Sequence, residues 1–153
     1  MSAVPHPQIH YRRMRATDLA EVAHLEKELY AFPWSLGNFR DSVNAGYDCW
    51  VVTHGETVAG YAILMIALDE AHLLNIAVAP EWQNQGVGRA FLGHMVGIAR
   101  QAGCQIIYLE VRPSNLAARH LYRKAGFQQI AIRPDYYPAV HGREDALFLG
   151  LTL

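Results

Sequence analysis

Cysteine is scarce. Cys49 and Cys104 are the only two in 153 residues, far apart and each in apolar company. That excludes a disulfide framework and reads as two reduced core thiols of the kind a cytosolic protein keeps. An imbalance of charge is missing too. Thirteen Lys and Arg against fourteen Asp and Glu leave a formal net charge of -1, which supplies no electrostatic reason for a nucleic-acid partner. No apolar run reaches membrane length: the longest, Thr57 to Leu68, stops at Asp69, short of the roughly 20 residues a span needs. The N-terminus shows no charged-then-apolar signal pattern, so no membrane partner is expected and the cytoplasm is the expected compartment.

Several catalytic signatures are also absent. The eight histidines (His6, His10, His24, His54, His72, His94, His120 and His141) form no His-Glu-x-x-His pattern and no Cys/His cluster at metal spacing, so no metal is expected. Gly-x-Ser-x-Gly does not occur, which removes the nucleophile elbow of the α/β-hydrolases. There is no Gly-x-x-x-x-Gly-Lys run for a P-loop. The dinucleotide fingerprint fails at Phe91, where its third glycine belongs.

What is present is a core-forming composition, 52% hydrophobic and 18% charged, in a chain long enough to bury it. With no repeat, low-complexity tract or linker, residues 1–153 read as one domain. Ile9 to Met14 is a strand candidate. Asp18 and Glu21 resemble a capping box, after which Leu19, Val22, Leu25, Glu26 and Leu29 outline an amphipathic helix. Pro33 breaks it, and Ser35 is placed to cap a second helix carrying Leu36, Phe39 and Val43. Cys49 to Thr53 and Val58 to Leu68 read as a hairpin, followed by a strand from Ala71 to Val78.

A helix from Gly86 to Ala102 stops at Gly103. Gly93 and Gly97 inside it cost about 1 kcal/mol each against alanine, and close packing on the sheet is the expected compensation. Gln105 to Val111 is a buried strand. Pro113-Ser114 opens a helix with Leu116, Ala117, Leu121 and Ala125 as its apolar set. Phe127 to Ile132 and Ala146 to Leu151 complete the sheet, with a polar, tyrosine-bearing loop between them. Hairpins mixed with helical crossovers imply an α/β fold: a mixed central sheet of about six to seven strands flanked by about four helices.

The most informative stretch is Asn75 to Arg89. A strand ending at Val78 runs into a loop with Pro80, Gly86 and Gly88. Val87, Phe91, Met95 and Ala99 then mark one helix face. A glycine-bearing turn at a helix N-terminus offers unpaired N–H groups and the positive end of the dipole to an anion. The stretch reads as a phosphate or pyrophosphate cradle. The plainer alternative, glycines serving only the turn, stands beside it. Glu110 lies near the end of an apolar strand, where a carboxylate is costly unless paired or useful. Tyr122 follows twelve residues later on a helix. Together they offer a base and an acid; separately they read as an ion-pair member and a core phenol.

These residues also resemble a known family. Gln83-x-x-Gly86-x-Gly88 is similar to the acetyl-CoA motif of the GNAT superfamily of N-acetyltransferases. Tyr30-Ala31-Phe32-Pro33-Trp34-Ser35, Leu68-Asp69-Glu70-Ala71 with Asn75-Ile76-Ala77-Val78, Leu109-Glu110-Val111-Arg112, Leu121-Tyr122-x-x-x-Gly126-Phe127, and Tyr136-Tyr137-Pro138 with Gly142-x-Glu144-Asp145-Ala146 resemble its RimI subfamily. The resemblance implies a GNAT fold splayed at the acetyl-CoA site, and transfer of acetyl to the N-terminal alanine of a small-subunit ribosomal protein, the eighteenth. A broader range of N-termini, lysines or a small-molecule amine is the alternative.

The resemblance also implies roles. Asn84, Gln85, Gly86, Val87, Gly88 and Arg89 bind the coenzyme A pyrophosphate. Ile76, Ala77 and Val78 receive the pantetheine arm, with a backbone N–H near Val78 on the thioester carbonyl, and Asn115 adds a cofactor contact. Glu110 is the general base and Tyr122 the general acid, and the amine attacks the thioester directly. Phe32, Trp34, Tyr136, Tyr137, Glu144 and Asp145 are candidates for the peptide channel, the last two as partners for a basic tail; packing for the aromatics and a structural role for the acids are the alternatives.

Overall fold

A computed structural model describes residues 9–153; residues 1–8, which include His6 and the N-terminal stretch read above for a signal, lie outside the described residues. In chain order the elements are β1 (Ile9–Arg13), α1 (Leu19–Leu29), α2 (Leu36–Asn44), β2 (Asp48–His54), β3 (Thr57–Ala67), β4 (Glu70–Val78), α3 (Val87–Gln101), β5 (Ile106–Val111), α4 (Leu116–Lys124), β6 (Gln128–Ala139) and β7 (Gly142–Thr152). The seven strands form one sheet in the order β1-β2-β3-β4-β5-β7-β6. Neighbours are antiparallel except β4 and β5, which run parallel and are joined by the α3 crossover.

Helices cover both faces. Phe91, Leu92, Met95 and Ala99 of α3, with Tyr122 of α4, pack on Leu64, Leu73, Ile107, Leu109, Leu147 and Leu149. Phe91 is fully buried there, and truncating such a side chain costs about 3–5 kcal/mol. On the other face Val22 and Leu25 of α1 and Phe39 of α2 close over Val51, Tyr61, Ile63 and Ala77. Adjacent strands approach closely at Gly60, where an added Cβ would stand 2.5 Å from the Ala77 carbonyl oxygen.

The pairing of β4 positions everything that follows. Ile63 faces Asn75 and Leu64 faces Leu73, so Leu74 is an extra residue, a β-bulge, against β3. Pairing with β5 ends at the same place: Leu73 opposite Leu109 is the last couple. Beyond it, β4 continues to Val78 against β3 alone, while β5 continues to Val111 against β7 alone. The sheet is thereby split into a V.

Four expectations change. The tyrosine-bearing loop is strand: β6 runs to Ala139 and pairs with β7 from Gly142, bending at register shifts where Asp135 takes φ 52°. Alternation was hidden by those bulges, which reset the period of two. Asp18 does not cap α1 with Glu21. It accepts from both Arg12 guanidinium nitrogens (2.7 and 2.8 Å) and from the Arg15 N–H, while Glu21 accepts from the Val58 N–H at 3.3 Å. A Cβ on Gly93 or Gly97 would meet nothing within 4 Å, so packing on the sheet does not account for either glycine. Finally, α4 buries Tyr122 with Ala118 and Leu121 against it; Leu116 is 69% exposed, and Ala117 and Ala125 also face outward.

The split sheet as a candidate active site

A cavity of about 950 Å³ occupies the V. Leu73, Leu74, Asn75 and Ile76 form its β4 wall and Glu110, Val111 and Arg112 its β5 wall. Tyr122, Ala118 and Asn115 line it from α4; Tyr30, Phe32 and Trp34 from the α1–α2 connection; Tyr137, Pro138 and Glu144 from the β6–β7 hairpin. The volume suits a small-molecule or cofactor site.

Along the split, β4 offers backbone. Ala79 N–H donates to Ala59 O at 2.7 Å, so alternation puts the Ala77 peptide toward β3 and turns those of Ile76 and Val78 to the gap. The Val78 carbonyl does face away from β3, since it accepts from Gln83 Nε2 at 2.9 Å. Ala77 is buried beneath α1 and α2.

The glycine loop lies at the open end of β4, outside the residues lining the cavity. Asn84 (φ 59°) and Gly86 (φ 81°) both take left-handed backbone, and Gly86 is the residue from which α3 starts. Glycine is suited to that turn. The first N–H groups of the helix, on Val87, Gly88 and Arg89, have no partner four residues back and carry the positive end of a 15-residue helix. Gln85 Nε2 donates to Glu81 O at 2.8 Å, closing the loop on itself. A Cβ on Gly88 would lie 3.7 Å from the Val78 side chain, so the helix start and the strand end are adjacent. Arg89 is exposed.

Glu110 lies within reach of an imidazole and a guanidinium, neither of them from Arg112. His72 Nε2 is 3.5 Å and an Arg133 nitrogen 3.9 Å from Oε1, and the carboxylate side chain is 11% exposed. A hydrogen bond to Glu110, then burial, raises the Tyr136 phenol above its usual 10. Tyr122 is 8% exposed, edge-on to Phe127. Burial, then the nearby Tyr30 and Tyr137, push its phenol well above its usual value. It therefore stays protonated throughout the physiological range.

The remaining predicted side chains divide. Asn115 Oδ1 caps α4 by accepting from Ala118 N–H at 3.2 Å. Arg112 stands over the Tyr137 ring (4.4 Å) and the Phe32 ring (5.4 Å) and donates to Pro138 O at 2.8 Å. Glu144 accepts from Ser114 N–H and Oγ–H (3.1 and 2.9 Å) and from Arg112 (3.4 Å), bonds that hold its carboxyl below the usual range. Asp145 accepts from the Asp135 N–H at 3.0 Å. Glu144 thus ties the hairpin to the β5–α4 connection, and Asp145 ties β7 to β6.

Sequence reasoning missed two groups. Glu26 of α1 is 3% exposed, lines the cavity, and accepts from Tyr61 OH (2.8 Å), Asn75 Nδ2 (3.0 Å) and Trp34 N–H (2.9 Å). A carboxylate among Val22, Leu25 and Leu29 on the apolar face was the available signal. His72 gave none, because only the pairing of β4 with β5 brings it to Glu110.

Among the described residues no group of His, Cys, Asp and Glu could hold a metal ion, and no helix is long and apolar enough to cross a membrane. An α/β sheet opened between two parallel strands, with a glycine turn and a helix N-terminus at the end of one and a phenol and a carboxylate in the opening, has the architecture of the N-acetyltransferases. The chain belongs to the acetyltransferase (GNAT) family, whose model matches residues 15–127. The ribosomal protein bS18-alanine N-acetyltransferase of Escherichia coli K12 is 41% identical over 140 residues, 92% of this chain and 95% of that one. The crystal structure of the ribosomal-protein-S18-alanine N-acetyltransferase from Escherichia coli superposes with a TM-score of 0.88 at 40% identity, covering 94% of this chain and 93% of that one. Arabidopsis thaliana NAA60 in complex with acetyl-CoA shares the fold (TM-score 0.84, 17% identity, 95% and 99% covered).

Proposed function

We propose that the chain, acting as one catalytic domain in the cytoplasm, transfers acetyl from acetyl-CoA to the N-terminal alanine of ribosomal protein bS18. The observation that carries this reading is the shared cavity: Glu110 of β5, Tyr122 of α4 and the unpaired edge of β4 line one space. The names of the relatives at 41% and 40% identity support the substrate.

In this reading the N–H groups from Asn84 to Arg89 hold the pyrophosphate. Ile76 and Val78 present backbone to the pantetheine arm, the Val78 N–H serving the thioester oxygen as it gains charge. Ala77 contributes its place in the strand, and Asn115 a polar contact beside its cap. Acetyl-CoA supplies the activated acyl group. Glu110 takes a proton from the amine and Tyr122 gives one to the departing sulfur. An α-amine, with a pKa of about 7.7–8.0, is easier to neutralise at pH 7 than a lysine at about 10.4, by roughly 3.5 kcal/mol. One carboxylate is enough for that task. Phe32, Trp34, Tyr136 and Tyr137 wall the approach, with Arg112 holding Phe32 against the hairpin.

The test is release of free thiol from acetyl-CoA on addition of a peptide beginning with the bS18 N-terminal alanine. Thiol release that depends on the peptide is expected. Binding of acetyl-CoA without thiol release would make the chain a non-catalytic binding domain.

A further inference from the structure

Acetyl transfer from a thioester to an ammonium forms one N–C bond, breaks one C–S bond and removes two protons from nitrogen. One ends on sulfur. The other must reach bulk water in every turnover. Glu110, which takes that proton in the reading above on which this inference rests, is nearly enclosed.

Among the described residues, few groups touch its carboxylate. From β6 come Arg133, at 3.9 Å, and Tyr136, with Tyr137 at longer range; from β4 comes His72, at 3.5 Å; on β7 Phe148 stands beside it. Arginine does not give up its proton at neutral pH, and the Tyr136 phenol, raised above its usual 10 beside Glu110, stays protonated there. His72 differs in both respects. Its imidazole can accept a proton, and its side chain is 26% exposed against 11% for Glu110, so it is in contact with the carboxylate and more open to water than the carboxylate is. Around the ring itself are Tyr108 on β5, Met65 on β3 and Phe148, with Glu110 and Arg133 as the facing charges.

We propose that His72 is a relay residue acting through Glu110, carrying the released proton from the buried carboxyl to bulk water. Burial, opposed by Glu110 and assisted by Arg133, lowers the imidazole below its usual 6.5. A ring so placed is neutral at pH 7, ready to accept, and does not retain what it receives.

His72→Gln keeps a polar side chain and removes the titrating ring. With acetyl-CoA and an alanine-starting peptide in dilute buffer, the variant loses about tenfold in kcat, while KM for acetyl-CoA stays within about twofold. Added imidazole restores most of the loss and leaves wild type unaffected. Independently of turnover, the ring followed by NMR titrates below the usual imidazole range, and Glu110→Gln moves it lower still, because the carboxylate is the group that raises it. Unchanged kcat in His72→Gln, or a loss that imidazole does not repair, overturns the relay. Failure of the parent reading looks different: Glu110→Gln would then turn over like wild type at every pH, whatever His72 does.

Discussion

The side chain of Gln83 donates to the carbonyl of Val78 across 2.9 Å, tying the glycine loop to the end of β4. Gln83 therefore fixes where the loop leaves the strand. Gln83→Ala removes one hydrogen bond worth about 0.5–1.5 kcal/mol. KM for acetyl-CoA is expected to rise by about two- to tenfold, with kcat nearly unchanged, in steady-state kinetics.

Tyr122→Phe keeps the ring against Phe127 and deletes only the hydroxyl. A general acid contributes about 10²–10⁴ in rate, so kcat falls by about a hundredfold or more with little change in KM for acetyl-CoA. A proportional loss of both would remove Tyr122 from the role.

For Glu110→Gln the pH–rate profile is the readout. In wild type the rate rises on the acid side as the base sheds its proton. The variant loses that rise and follows only the ionisation of the amine, near 7.7–8.0.

The glycine turn and the start of α3 were legible in the sequence because their signals are local: glycine where φ is positive, then a 3.6-residue apolar period. Glu110 and Tyr122 were legible as residue types out of keeping with their apolar settings. Their meeting in one cavity depends on the bulge at Leu74 and the end of pairing at Leu73, which no local pattern encodes. The same holds for His72, and for β6, whose alternation is interrupted at Ile130 and again between Arg133 and Tyr137. Glu144 and Asp145 were open between meeting a basic tail and a structural role, because their partners at Ser114 and Asp135 are set by the folded strands.

Gly93→Ala and Gly97→Ala place a methyl group in open space on a helix whose backbone suits alanine. Each should stabilise by about 0.5–1 kcal/mol. The check is a higher urea midpoint with unchanged slope.

Asp18→Asn breaks a buried charge-assisted pair with Arg12 and costs about 2–3 kcal/mol at pH 7. Hydrogen bonding from Arg12, against burial, holds the folded-state carboxyl below 3.8. Its contribution is complete above the unfolded value and is lost as pH falls through the folded one. Denaturation curves of wild type and variant therefore converge as the pH falls from 3.8 through the lower folded-state value.

The central claim is transfer to an α-amine at the split in the sheet. Two peptides test it, each with the bS18 N-terminus and an internal lysine, one free and one blocked at its amino end. After incubation with acetyl-CoA, mass spectrometric mapping is predicted to find acetyl on the terminal alanine of the free peptide and none on the blocked one. Equal acetylation of both, mapped to lysine, would contradict the account.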